Sequence, residues 1–202
     1  GEVYVATPDK AIFELVSNYG GKAVLSSETH NTGTDRIFEV FKNTLKSLPN
    51  IIVNLQGDMP NIEPKIIKNL INYMQQGKCE VGTLASEIKN NFELEDENIV
   101  KVLVKEKLKE GIFSEALDFL RVNPGQNHKT YHHVGIYAFT SIALTKYVSL
   151  KRSKLELNRK LEQLRAMENG MSIHVGYINS SPLSVDTEKD LFRIKKLMEK
   201  NE

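Results

Sequence analysis

Several kinds of protein are ruled out by what this chain lacks. Among its 202 residues there is one cysteine, Cys79, which excludes an internal disulfide and a cysteine-rich zinc site and points to a reducing cytoplasm. Its apolar runs are only a few residues long, far short of the roughly 20 that a membrane-spanning helix needs. The first residues show no charged head followed by an apolar core, so no export signal is expected. No surplus of one charge exists either: the formal net charge is +1. A nucleic-acid-binding face normally needs a clear excess of Lys and Arg, so neither nucleic acid nor membrane is expected as a partner.

What remains is ordinary for a globular chain, with 40% apolar and 26% charged residues. The length suits one well-buried domain. "EVYVATPDKAIFELVSNYGGKAVL" reads as a strand over Val3 to Ala6, an amphipathic helix to about Tyr19, and a second strand after Gly20 and Gly21. A helix follows in "TGTDRIFEVFKNTLKSLP", then the strand "IIVNL" and a helix from about Glu63 to Gln76. This alternation predicts an α/β domain with a mixed, mostly parallel sheet and helices on both faces. Between about residues 81 and 139, "VGTLASEI", "IVKVLV", "GIFSEA" and "HHVGIYAF" form a β-rich extension. The chain closes with a helix from Leu155 to Asn169, a strand "SIHVGYI" and a final helix "DTEKDLFRIKKLMEK".

Ligands of such sheets gather at the carboxyl ends of strands. In "IIVNLQGDMP" the apolar run stops at Gln56, Gly57 and Asp58. Asp58 can hold Mg²⁺ there, with Gly57 permitting close approach of backbone, or the same residues can simply make the turn before Pro60. Asp186, opening the last helix in "PLSVDTEKDL", is either an N-cap or a second carboxylate over the same cation. "ETHNTGTDR" places Gly33, Thr34, Asp35 and Arg36 at a helix start, where N–H groups can hold an anion or read a base, or where Thr32 or Thr34 caps the helix. His133 and Tyr137, four apart on one strand, share a face that either binds a hydroxylated or anionic molecule or is a satisfied polar pair. In "ELNRKLEQLRAMENG" the spacing predicts a buried stripe of Leu157, Leu161 and Leu164, leaving Glu162, Gln163 and Arg165 on other faces. Cys79 reads as a structural thiol.

In this order, "HNTGTDR", "VNLQGDMP", "HHVGIYAF", "LEQLR" and "SVDTEKDL" resemble the CMP-KDO synthetases, the 3-deoxy-manno-octulosonate cytidylyltransferases, over nearly the whole chain. The resemblance implies a nucleotide-diphospho-sugar transferase, Rossmann-like three-layer fold spanning residues 2 to 200. It also implies transfer of CMP from CTP to KDO, with release of pyrophosphate, for lipopolysaccharide synthesis in a Gram-negative bacterium. By resemblance, Asp58 and Asp186 match the catalytic Mg²⁺-binding carboxylates. Gly33, Thr34, Asp35 and Arg36 match the segment beside the cytidine, with Gln56 at the edge of the sugar site. His133, Tyr137, Glu162 and Gln163 match the KDO pocket, and the family implies a cytoplasmic homodimer whose β-rich portion serves sugar binding and dimerisation.

Three departures stand beside the match. The family's opening strand and basic loop of the "RLPGKPL" kind have no counterpart, so the triphosphate-binding segment is expected to be missing. Glu115 replaces an Arg in "FSE", where it should repel the KDO carboxylate, and Met59 replaces an acid in "QGDMP". These departures keep two alternatives open: a cytidylyltransferase for another 2-keto sugar acid such as a sialic acid, and a catalytically silent homologue that binds or dimerises.

Overall fold

The computed structural model describes residues 1–45, 47–123, 125, 129–185 and 187–199. The first unit is the expected strand, helix, strand. β1 (Val5–Thr7) and β2 (Ala23–Leu25) pair in parallel, connected by α1 (Lys10–Asn18). Asp9 caps α1 by accepting the Ala11 N–H at 2.7 Å. The helix stops where Gly20 takes φ +76°, a conformation that costs glycine little.

The main sheet has six strands in the order β3-β7-β4-β8-β6-β5, with β5 also pairing with β7. These are β3 (Ile51–Asn54), β4 (Val81–Ser86), β5 (Lys101–Val104), β6 (Phe113–Leu120), β7 (Thr130–Thr140) and β8 (Ile173–Tyr177). Here the expectation of a mostly parallel sheet is corrected: of the described pairings in this sheet, only β4–β8 is parallel. The reason is β7, which runs antiparallel between β3 and β4 and separates two strands that share a direction. Periodicity reveals a strand and its buried face but carries no information about its direction.

Alternation along β7 divides its side chains between two cores. Tyr131, Tyr137 and Phe139 join one with α2 (Gly33–Thr44) and α5 (Ser141–Ser149), whereas Val134, Ile136 and Ala138 join the other with α3 (Pro64–Met74). Helices therefore cover both faces, giving three layers. Cys79 lies in the second core, where burial pushes its thiol pKa up to about 11, in keeping with a structural role.

Three helical details depart from the pattern reading. A short α4 (Asn91–Glu95) forms inside the polar stretch, capped by Asn90, and α5 follows β7 directly, capped by Thr140. Third, the single helix expected over Leu155 to Asn169 is two: α6 (Lys154–Arg159) and α7 (Leu164–Glu168), broken by Lys160 at φ +54°. The break rotates the segments, so Leu161 and Leu164 are buried while Leu157 is 51% exposed. It also carries Glu162 and Gln163 into a turn instead of along a helix face. The last helix is α8 (Glu188–Met198), and its cap is Thr187, reciprocally bonded with Asp190.

Candidate active site

The site is assembled on the strand ends around Tyr137. In register across the sheet, Tyr137 of β7 faces Asn54 of β3 on one side and Thr83 of β4 on the other. Asn54 is the buried polar end of an otherwise apolar strand, and its amide donates to the Thr34 hydroxyl at 3.4 Å, bringing the start of α2 against the sheet. At that start Thr32 is the cap: its oxygen accepts the Asp35 N–H at 3.2 Å and its hydroxyl donates to Asp35 Oδ2 at 2.9 Å. The first N–H groups of α2 have no acceptor within the helix, which suits an anion or a base edge. A side chain at Gly33 would place its Cβ 3.2 Å from Gln56 Nε2, whereas nothing lies within 4 Å of one at Gly57. Close packing against a neighbouring side chain is thus a property of Gly33, whereas Gly57 faces open space.

A cavity of about 10 Å³, roughly the space one water needs, is lined in part by Thr34, Tyr137, Tyr147, Glu162 and Gln163. Four of the residues singled out by sequence thus meet, from three separate segments. The Tyr137 hydroxyl and Glu162 Oε2 are buried and have no hydrogen-bond partner among the described residues. Burial, together with Glu162 and Tyr147, drives the Tyr137 pKa well above its ordinary value. Burial likewise raises the Glu162 pKa, an effect that hydrogen bonds from the Thr32 and Thr34 hydroxyls and the charge of Arg165 partly offset.

His133 neighbours Tyr137 as expected, with ring centroids 5.4 Å apart, and also packs edge-on against Phe119. The Thr83 hydroxyl donates to the Ile136 carbonyl at 2.8 Å, so its contact with His133 Nε2 at 3.0 Å requires the ring to be the donor. Burial pushes the His133 pKa down to about 3, and the ring is neutral at physiological pH.

Asp58 lies in the turn after β3, tied to the segment that precedes α8. Its carbonyl accepts the Val185 N–H at 2.9 Å and its Oδ2 accepts the Ser184 hydroxyl at 3.1 Å, while Leu183 N–H reaches Asn61 at 3.0 Å. Oδ1 is buried and accepts no hydrogen bond among the described residues. An orphaned carboxylate oxygen is what a hard cation takes as ligand, so Asp58 fits Mg²⁺. Asp186 lies outside the described residues; the capping role open to it in the sequence is filled by Thr187. No group of three or more potential metal ligands occurs among the described residues.

Arg36 is placed differently from the segment it belongs to. Its guanidinium donates to the Ser26 hydroxyl at 2.6 Å and the Ser27 carbonyl at 3.0 Å, while Glu39 one turn later accepts the Ser27 N–H and contacts His30. Arg36 thereby anchors the loop leading into α2. Met59 is buried in the core with Leu70 and Met74, which accounts for an apolar residue there. Glu115 is exposed and pairs with Lys105 at 3.7 Å, so its charge is partly answered within the chain.

The pattern reading missed the pair behind the site. Arg165, only 2% exposed, makes a two-pronged bond to the fully buried Glu156 at 2.7 and 2.9 Å. The guanidinium stacks 4.6 Å above the Tyr147 ring and reaches Asp35 at 3.5 Å. Burial opposes the Arg165 charge, yet Glu156, Tyr147 and Asp35 hold its pKa above the ordinary value. A polar pair on a presumed solvated helix gave no sign of this, because the break at Lys160 uses no glycine. Asn54 was missed as well, although a polar residue ending an apolar strand is a signal that could have found it.

Comparison with known proteins agrees with this geometry. A family model described as "Cytidylyltransferase" matches residues 1–173. The 3-deoxy-manno-octulosonate cytidylyltransferase of Bartonella henselae is 38% identical, the match covering 98% of this chain and 82% of that protein. That of Paramagnetospirillum magneticum is also 38% identical, covering 98% and 81%. A solved CMP:2-keto-3-deoxy-manno-octonic acid synthetase, complexed with CTP, superposes with a TM-score of 0.88 at 32% identity, covering all of this chain and 82% of that one. The 4-diphosphocytidyl-2C-methyl-D-erythritol synthase of Anaerococcus prevotii, at 15% identity and a TM-score of 0.58, shares the α/β fold. Among the described residues no helix is long and apolar enough to cross a membrane. A site built at the strand ends, a matching family model and close relatives together establish that this chain belongs to the cytidylyltransferase family, as a homologue of the 3-deoxy-manno-octulosonate cytidylyltransferases.

Proposed function

We propose that the chain transfers CMP from CTP to KDO, releasing pyrophosphate. The observation that carries this reading is the convergence of Thr34, Tyr137, Glu162 and Gln163 on one cavity, which joins the nucleotide and sugar-acid segments. The bond that forms is between the C2 hydroxyl oxygen of KDO and the α-phosphorus of CTP; the bond that breaks joins that phosphorus to the pyrophosphate oxygen.

The residues of the chain act by holding and orienting the reactants. The N-terminus of α2, from Gly33 to Asp35, offers N–H groups and a carboxylate to the nucleotide, and Gln56 closes against Gly33 at the edge between the two subsites. Arg36 keeps the preceding loop in place. On the sugar side the Tyr137 hydroxyl and the Gln163 amide offer donors to hydroxyl and carboxylate groups, and Glu162 Oε2, without a partner among the described residues, offers an acceptor to a hydroxyl. The neutral His133 supports Tyr137. Asp58, together with Asp186 as the resemblance implies, would hold Mg²⁺, which when bound offsets the negative charge that accumulates as pyrophosphate leaves.

The reading extends to one nucleotidyltransferase domain over residues 2–200, with the β-rich portion 81–139 contributing to sugar binding and to a cytoplasmic homodimer. Pyrophosphate release from CTP and Mg²⁺, compared with KDO, a sialic acid or no sugar, tests it. Release is expected with KDO alone; release that ignores KDO, or follows sialic acid instead, would overturn the assignment.

A further inference from the structure

Around the cavity the contacts close into a ring. The Tyr147 hydroxyl donates to the Glu162 carbonyl at 2.8 Å, and its ring face carries the Arg165 guanidinium. Arg165 reaches Asp35 Oδ1, and Asp35 Oδ2 accepts from Thr32. Glu162 lines the same cavity as Thr34 at that helix start, which returns to the beginning. One half of the ring, Thr32 and Asp35, is the N-terminus of α2 on the nucleotide side. The other half, Glu162 with Tyr147, borders the sugar-acid side. Glu156 fixes Arg165 from behind through both guanidinium prongs, and is itself anchored by the capping box with Ser153 and by Arg152 at 2.8 Å.

Asp35 is the sensitive member because its two oxygens serve both sides: Oδ2 accepts from the Thr32 cap, and Oδ1 meets Arg165, which stacks on the tyrosine that holds the Glu162 carbonyl. A ligand that engages Glu162 from the sugar side moves its link to Tyr147 and, through Arg165, the Asp35 carboxylate that holds the cap of α2 that the nucleotide meets. We infer that Arg165 is a positioning residue that couples the two subsites, so that occupancy by the sugar acid tightens the nucleotide and the reverse. The inference rests on the function proposed above. By linkage the coupling must be equal in both directions.

Initial rates of pyrophosphate release over a grid of CTP and KDO concentrations, with Mg²⁺ present, measure it. For the wild-type chain, saturating KDO should lower the KM for CTP at least about fivefold, within the usual range of coupling between sites. Replacing both members of the fork, Glu156→Gln with Arg165→Met, leaves neither as a lone buried charge and should bring this factor to about one. Arg165→Lys, which keeps the charge but loses the fork, should recover part of it. Tyr147→Phe, which removes only the bond to the Glu162 carbonyl, gives a second route to the answer if the double variant does not fold; it should reduce the factor about twofold, the direction expected for one lost hydrogen bond. A merely structural pair would lower the melting temperature and scale all rates while leaving the factor intact. An unchanged factor in any folded variant overturns the inference. So does a wild-type KM for CTP that ignores KDO, and if KDO-dependent release persists in that case the proposed function stands alone. Absence of KDO-dependent release by the wild-type chain removes both.

Discussion

Two regions border the N-terminus of α2, and they treat their charges in opposite ways. On the α6–α7 side, Arg165 and Glu156 satisfy each other in a buried fork, with Asp35 and the Tyr147 face completing the environment. After β3, Asp58 has one oxygen bonded to Ser184 and the other buried without a bond among the described residues. Internal satisfaction fixes geometry, because every partner constrains the next. An unsatisfied buried acceptor instead costs folding free energy and is retained where a ligand completes it. Under the function proposed above, the first region positions and the second contacts the reacting groups directly, and substitutions on each side should behave accordingly.

The largest effect is expected at Asp58. Asp58→Asn keeps the size and the acceptor for Ser184 but removes the charge offered to a cation. Turnover should fall by about 10³ or more, the scale of losing a direct electrostatic contact in the transition state, while thermal melting stays close to wild type or rises slightly. Pyrophosphate release and a melting curve on the same sample decide it: a rate within a few-fold of wild type would remove Asp58 from the site. The reverse profile is expected at Arg165. Arg165→Met alone leaves the Glu156 carboxylate buried with only Arg152 as a charged partner, which should cost about 2 to 4 kcal/mol of stability. Denaturant unfolding measures this, and most of the loss should return when Glu156→Gln is added.

Much of this contrast could be read from the chain before its structure, but unevenly. Asp58, Gly33 and Tyr137 stood out because each breaks a local rule: a carboxylate after an apolar strand, a glycine at a helix start, a hydroxyl four residues from a histidine. Local patterns determine which residues form a strand or helix and which face is buried. The direction of β7 and the pairing of Glu156 with Arg165 depend on contacts between distant segments or on a left-handed residue at Lys160, and no periodicity encodes these. Leu157 shows the limit well: it fits the apolar stripe of a continuous helix, yet the turn at Lys160 leaves it in solvent.

His133 tests the sugar-side wall through pH. Its folded pKa of about 3 lies below the ordinary 6.5 of an unfolded chain. Between those values the unfolded state binds the extra proton, so the contribution of this residue is intact above about pH 6.5 and is lost as pH falls. The limiting slope is about 1.4 kcal/mol per pH unit, or about 2 kcal/mol by pH 5. His133→Gln retains an N–H for Thr83 and does not titrate. The stability difference between wild type and variant should therefore narrow or invert on acidification, with the other histidines cancelling. A difference that is flat from pH 7 to 5 would show that His133 is not buried as described.

The smallest change tests whether an unsatisfied group on the well-packed side behaves like Asp58. The Tyr137 hydroxyl is buried without a partner among the described residues, and burial keeps it protonated. Tyr137→Phe deletes that hydroxyl and leaves the ring against His133 and Phe139. If the hydroxyl is kept for the sugar acid, its loss should stabilise the chain by up to about 1 kcal/mol, since a buried group without a bond is removed. The KM for KDO should at the same time rise about tenfold, the value of one hydrogen bond near the upper end of its range, while the Kd for CTP measured without sugar by calorimetry stays unchanged. The two readouts move in opposite senses only if the group is held for a ligand: a variant that loses both stability and KDO affinity would make Tyr137 a structural tyrosine, and the sugar side would then rest on Glu162 and Gln163.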